Sequence, residues 1–455
     1  MVGTAAPGIR LCVKDLRTTP QPPNAPTALK KALTTPLLYF FILGDVLGAG
    51  VYVLVGQVAA DSGGAVWVPL VVALCLALLT AASYAELVTA YPRAGGASHY
   101  ATLAYGPFAG FLAGFCMLAA GIVSVAALAR GFAGDYLTEF VTLPVVLVVI
   151  VFLAALALLN ARGIRESTRA NVVATVIEVS GLLLVIGLGV WIVLRGDGDL
   201  GRLTQLGTDS HGPAAAVLSG AVLAYYSFVG FETSVNVAEE TRDPRRSYPR
   251  ALFGALITAG AVYALVGAAA AAAVPTERLV SSSGPLLEVV REAGGVPTEL
   301  FGAVALVAVA NGALLTGIMS SRLAYGMARD GLLPGFLTKV LPGRRTPWAA
   351  IAVTAALSLL LALTGDVATL ASTLVLLLLV VFFMVNTATL VLRRRDTSAR
   401  PDHFRAPTVV PLLGAASCVA LATQIERDVW LRGLIVLAVG AVCGAVAAGR
   451  LRRRA

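Results

Sequence analysis

The chain has 455 residues, 58% of them hydrophobic and 13% charged, with a formal net charge of +9. A soluble domain carries about 25% charged residues, so the composition excludes a soluble protein and indicates one integral membrane domain. The positive charge would suit a nucleic-acid footprint only if it were clustered on one polar surface, and it is instead spread over short loops between apolar runs.

Residues 1–35 are polar, rich in Pro and Thr, and lack an apolar signal core. They read as a disordered cytoplasmic tail. Apolar runs follow near residues 36–60, 66–90, 107–134, 141–159, 171–194, 214–238, 251–274, 299–321, 347–363, 367–391, 408–424 and 429–449. Runs of about 20 such residues match the length of membrane-spanning helices, so the pattern predicts an all-α membrane protein with twelve spans in a single domain, 36–450. With both termini in the cytoplasm, about 27 of the 34 Lys and Arg fall inside and about 7 outside. Arg162/Arg165/Arg169, Arg242/Arg245/Arg246/Arg250 and Arg393/Arg394/Arg395 mark inner loops, and residues 451–455 form a basic cytoplasmic tail. The charge therefore reports topology in a cytoplasmic (inner) membrane, and no nucleic-acid partner is expected.

Two of the spans are interrupted by glycine. The first carries Leu43-Gly44-Asp45-Val46-Leu47-Gly48-Ala49-Gly50-Val51-Tyr52, and the sixth carries Tyr225-Tyr226-Ser227-Phe228-Val229-Gly230-Phe231-Glu232-Thr233. Broken backbone at membrane depth is tolerated only where it faces protein or a water-filled cavity. Paired breaks in two halves point to the substrate site of a secondary transporter. One break in the first span and one in the sixth divides the chain into two five-span repeats of opposite topology, 36–194 and 214–391, with 408–449 as two peripheral spans.

Carboxylates inside hydrocarbon are rare and default to functional hypotheses. Asp45, Glu178 and Glu232 each lie about 10–14 Å from the inner end of their span at about 1.5 Å per residue, so they are expected to share a layer just inside the substrate site. Glu86 reads as an interfacial structural acid. Arg322 is expected to anchor the inner end of the eighth span, with Asp330, Glu239 or Glu240 as its partner. His99, His211 and His403 fall in predicted loops and do not cluster. The cysteines Cys12, Cys75, Cys116, Cys418 and Cys443 are scattered, with no metal spacing and none in a predicted outer loop. No nucleophile–base pair or phosphate-binding loop is present, so neither an enzyme nor a cofactor is expected.

Four motif blocks occur in order. They are Gly48-Ala49-Gly50-Val51-Tyr52-Val53-Leu54-Val55-Gly56, then Tyr84-Ala85-Glu86-Leu87 with Tyr91-Pro92-Arg93-Ala94-Gly95-Gly96, then Phe228-Val229-Gly230-Phe231-Glu232 with Ala238-Glu239-Glu240-Thr241-Arg242-Asp243-Pro244, and finally Ser321-Arg322-Leu323-Ala324-Tyr325-Gly326-Met327-Ala328-Arg329-Asp330-Gly331. Over roughly residues 36–450 the chain resembles permeases of the amino acid–polyamine–organocation superfamily, and its first block looks most like cationic amino acid transporters and their bacterial relatives. The resemblance implies a leucine-transporter-type fold of five plus five inverted spans. It also implies a site in which the substrate carboxylate meets backbone around Val46, Gly48, Ala49 and Gly50, and the amine meets carbonyls around Tyr226, Ser227, Val229 and Gly230. Ala49 stands where some relatives have Ser. Glu178 stands where some proton-coupled members have Lys, and three readings stay open there: Glu178 carries the coupling proton, with Asp45 and nearby carbonyls it helps hold Na⁺, or it is a structural, protonated acid bonded to a neighbouring backbone carbonyl. Glu232 reads as a gating acid or as a cap on the unwound segment.

Transport of an amino acid by proton-coupled symport or exchange is the expected function. A sensor that has lost transport, an amine or polyamine exchanger and a sodium-coupled transporter are the alternatives. Heteromeric relatives carry a linking cysteine after the third span; the loop Asp135–Leu143 has none, so no obligatory protein subunit is expected. The third span, Phe108–Gly131, lacks a central acid, which leaves cationic and neutral substrates equally open.

Overall fold

A computed structural model describes residues 34–48, 50–92, 95–162, 167–207, 212–344, 346–395 and 403–454, with backbone alone at 167–172, 237–240 and 446–454. Among the described residues the regular structure is helical. In chain order the helices are α1 (Thr35–Val46), α2 (Gly50–Ser62), α3 (Trp67–Ala90), α4 (Gly96–Tyr105), α5 (Pro107–Phe132), α6 (Asp135–Thr138), α7 (Val145–Arg162), α8 (Ser167–Leu194), α9 (Pro213–Tyr226), α10 (Pro244–Ala273), α11 (Thr276–Ser281), α12 (Pro285–Ala293), α13 (Thr298–Arg329), α14 (Trp348–Thr364), α15 (Val367–Arg395), α16 (Val409–Ala422) and α17 (Arg427–Arg454). A 3₁₀ segment, Phe231–Glu240, lies between α9 and α10.

Eight of these helices are long and apolar enough to cross a membrane, nine when α1 and α2, bent by 48° at their junction, are counted as one span. Three shorter apolar helices, α9, α14 and α16, overlap the other three apolar runs of the sequence. The outward face of the long helix α8 is apolar: Val173, Val176, Leu183, Val190 and Trp191 are all exposed. In water such a surface would drive association, whereas in lipid it is the expected exterior.

Since lipid is as apolar as leucine, helices associate through close packing. A Cβ on Gly260 or Gly267 of α10 would come within 2.4 and 2.7 Å of Leu74 and Leu70 on α3. Seven residues separate the two glycines, which places them on one helix face and lets the helices approach. Polar clamps add directionality. Glu86 of α3 accepts bonds from Arg393 of α15 at 2.6 and 2.5 Å and from the Ala406 amide at 2.9 Å. This buried, fully bonded pair gives Glu86 the structural role expected of it and ties the segment before α16 to the bundle. Asn386 of α15 accepts from Ser83 (2.6 Å) and donates to Thr80 (3.1 Å), both on α3.

The structure departs from the expected boundaries in three places. α10 and α13 run past 251–274 and 299–321, because a helix continues beyond the hydrocarbon into its charged end. His99 lies in α4, with its ring 5.9 Å from that of Tyr100, and not in a loop. Helices α11 and α12 fill the connection between the seventh and eighth spans. His211, Cys12, Arg93, Ala94 and Arg165 lie outside the described residues.

Candidate functional site

The first break begins where α1 stops at Val46. The Leu47 amide still bonds the Leu43 carbonyl at 2.7 Å, but the Gly48 amide turns back to the Val46 carbonyl at 2.6 Å, and α2 restarts at Gly50. The opening turn of α2 presents amides with no preceding helical carbonyl, as any helix start does. The Val46 carbonyl also accepts the hydroxyl of Tyr263 on α10 at 2.6 Å.

The second break is built differently. After Tyr226, the amides of Ser227, Phe228 and Val229 bond three residues back, to Ala224, Tyr225 and Tyr226, at 3.0–3.1 Å. Gly230 then adopts φ +128°, a value that side chains disfavour. Its amide donates to the Glu232 carboxylate at 2.9 Å. Glu232 thus caps the unwound segment. The carbonyls around Ser227 and Val229 sit at a helix end, where no later helical amide follows.

The two breaks touch. A Cβ on Gly230 would lie 2.8 Å from the Asp45 carbonyl oxygen, and one on Gly50 would lie 3.0 Å from Ser227 Cα and 3.1 Å from Tyr226 Cδ1. The Thr233 hydroxyl donates to the Asp45 carboxylate. Together they line a cavity of ≈ 410 Å³, within the ordinary range for small-molecule sites. Val46, Gly48, Gly50, Tyr226, Ser227, Val229 and Gly230 all face it, as do Asp45 and Glu232. Ala49 lies outside the described residues.

Glu178 does not line this cavity, which corrects the expected three-acid layer. It is 1% exposed, and its Oε1 has no hydrogen-bond partner. Its backbone carbonyl accepts the hydroxyl of Tyr52 of α2 at 2.6 Å, which places the residue behind the first break. Similar spacing along their spans did not bring the three acids into one space: Glu178 packs against Tyr52 of α2 and stays outside the cavity lining.

The remaining walls come from residues whose sequence context gave no signal. Ser124 of α5 meets the Tyr226 hydroxyl at 3.1 Å. Met117 and Leu128 of α5, Thr316 and Met319 of α13, and Leu374 and Leu378 of α15 complete the enclosure. Gly95, Asn236 and Arg322 line the cavity and are exposed, so it reaches the surface at the end of the bundle that carries Arg329 and Arg393–Arg395. Arg322 makes no ion pair among the described residues; the side chains of Glu239 and Glu240 lie outside them, and Asp330 does not reach it.

The opposite end is sealed. Tyr136 donates to the Tyr52 carbonyl at 2.6 Å, and a Cβ on Gly56 of α2 would lie only 2.2 Å from the Leu279 carbonyl of α11. Asp135 accepts from the Ser282 hydroxyl and the Ser283 amide, both at 2.9 Å. Arg291 of α12 pairs with Glu139. A hydrogen bond from Thr298, together with that guanidinium, holds the Glu139 carboxyl below the usual carboxylate range.

The chain matches the family model described as "Amino acid permease" over residues 33–440. An uncharacterized transporter of Mycobacterium tuberculosis is 32% identical over 424 residues, which cover 92% of each chain. The branched-chain amino acid permease BcaP of Bacillus subtilis is 26% identical over 91% of this chain and 92% of its own. The vacuolar cationic amino acid transporter 4 of Arabidopsis thaliana is 29% identical over 94% of this chain and 78% of its own.

Proposed function

Because this chain belongs to the amino acid permease family, a family of membrane transporters and not of enzymes, we propose that it is a secondary active transporter that carries an amino acid through the cavity between its two broken helices. The observation that carries this reading is the contact of the breaks around one cavity. A zwitterion needs partners for both charges. The opening amides of α2 supply partial positive charge for the carboxylate, and the carbonyls of Ser227 and Val229 supply the ammonium's acceptors. The cavity's access from one end and the seal at the other are what one state of an alternating-access cycle requires.

In this reading the helices form twelve spans, two five-span inverted repeats and a peripheral pair, with both termini and the cavity mouth in the cytoplasm. The coupling ion is a proton carried by Glu178. Sodium held jointly by Asp45 and Glu178 would require the two acids to face one space, and only Asp45 lines the cavity. A buried carboxyl without a donor or cation is tolerated far better neutral than charged, which suits a group that picks up and releases a proton as its surroundings move.

Uptake of labelled amino acid into proteoliposomes, with proton and sodium gradients imposed separately, tests both parts. Wild type should accumulate substrate on a proton gradient alone. Glu178→Gln, which mimics the protonated acid, should retain exchange and lose gradient-driven accumulation. Full accumulation by the variant would reject Glu178 as the carrier, and no uptake of any amino acid by wild type would reject the transport reading.

A further inference from the structure

Resting on the amino acid reading above, we propose that the cavity selects substrates with neutral, apolar side chains, and that Met117, Leu128, Leu374 and Leu378 are its specificity-determining residues. The argument starts from where charge lies in the cavity. Its lining contains three ionisable side chains, Asp45, Glu232 and Arg322. Both acids are committed to the breaks: Asp45 takes the Thr233 hydroxyl, and Glu232 takes the Gly230 amide.

The wall opposite the breaks is different in kind. Leu374 and Leu378 lie one turn apart on α15 and so share a face, and both line the cavity. Leu128 of α5 lies one turn beyond Ser124, whose hydroxyl is engaged by Tyr226. Met117, two turns before Ser124, presents a flexible thioether that fits side chains of varied shape. On α13, the Ser320 hydroxyl donates to the Thr316 carbonyl of its own helix at 2.8 Å, so its proton is not offered to a ligand.

A substrate anchored by its carboxylate at α2 and its ammonium at Ser227 and Val229 directs its side chain into this wall. A leucine- or methionine-like side chain exchanges water for apolar contact, at about 25 cal/mol per Å² buried. A lysine or arginine side chain would bring a second cation against apolar groups, while the lining's two carboxylates, Asp45 and Glu232, already bond Thr233 and Gly230 at the breaks, and a poorly paired buried charge is unfavourable. Arg322 adds to the discrimination. It is exposed at the mouth and makes no ion pair among the described residues, so a cationic solute passes a guanidinium on its way in.

The test is a thermal-shift and competition screen of the purified full chain with leucine, isoleucine, valine, methionine, lysine, arginine and putrescine. The neutral apolar amino acids should stabilise the protein and outcompete lysine and arginine by more than about tenfold. Met117→Glu places a carboxylate in the wall and should reverse the order, with leucine weakened and lysine gained. Leu374→Ala should shift preference among the neutral ligands toward larger side chains without admitting lysine. Lysine or arginine binding as tightly as leucine in wild type would overturn this inference and leave amino acid transport standing. Stabilisation by putrescine and by no amino acid would overturn both. Because the wild-type ranking alone decides the matter, a variant that fails to fold does not protect the proposal.

Discussion

The two helix breaks achieve the same exposure of backbone by opposite means. The first is braced from outside: Tyr263, more than two hundred residues away, donates to the carbonyl that α1 leaves behind, and Gly48 has only its own chain within 4 Å of where a Cβ would stand. The second is held from within: Gly230 takes a backbone angle that favours glycine, and Glu232, two residues on, bonds its amide. A braced break depends on its neighbours, whereas an internally capped break depends on its own sequence. Glycine accordingly means different things in the two. At position 230 it is a steric requirement of the fold, and at position 48 it keeps space open in the cavity.

That contrast can be broken experimentally, and the largest effect should come from Gly230→Ala. The added methyl meets the Asp45 carbonyl at 2.8 Å and sits at φ +128°, a combination whose backbone strain alone is about 1–3 kcal/mol. Both folding yield and ligand binding should fall, as read by size-exclusion profile and thermal shift. Normal behaviour in both assays would mean that the second break is not constrained as described. A smaller effect is expected for Tyr263→Phe, which leaves the Val46 carbonyl without its external donor. The Gly48 amide still bonds that carbonyl, so the loss is that of one hydrogen bond, about 0.5–1.5 kcal/mol; the melting temperature should drop modestly while the protein still folds, and binding should weaken because the first break loses its brace. An unchanged melting temperature would show that Gly48 or water satisfies the carbonyl unaided.

Much of this was legible in the sequence, for identifiable reasons. Glycine and polar residues punctuating an apolar run are local signals, and they located both breaks to within a few residues. Charge in the loops and the length of the apolar runs located the helices, although α9 is shorter than the 214–238 expected because the chain unwinds after Tyr226. What was not legible depends on rotation about helix axes and on which helices meet. Glu178 is buried beside Tyr52 and outside the cavity lining, and residue spacing along a span does not say which neighbour a side chain meets. Ser124, Leu374 and Leu378 look like ordinary span residues until α5 and α15 pack beside the breaks. Tyr263 is one of three aromatic residues in the alanine-rich α10, and only its proximity to Val46 gives it a role. Arg322 was noticed as a charge at the end of its helix; Asp330 does not reach it, and the side chains of Glu239 and Glu240 lie outside the described residues.

The central claim is that substrate occupies the space between the two breaks, and Gly48→Val tests it most directly. A Cβ at this position meets nothing closer than 3.6 Å, so the fold should tolerate the change while the branched side chain projects into the cavity. The measurement is the ligand-induced thermal shift of the variant, read beside its unliganded melting temperature and against the amino acid that stabilises wild type. The account predicts an unliganded melting temperature near that of wild type and no shift with ligand. A full wild-type shift in Gly48→Val would contradict it, since a substrate bound between the breaks could not leave that space to valine.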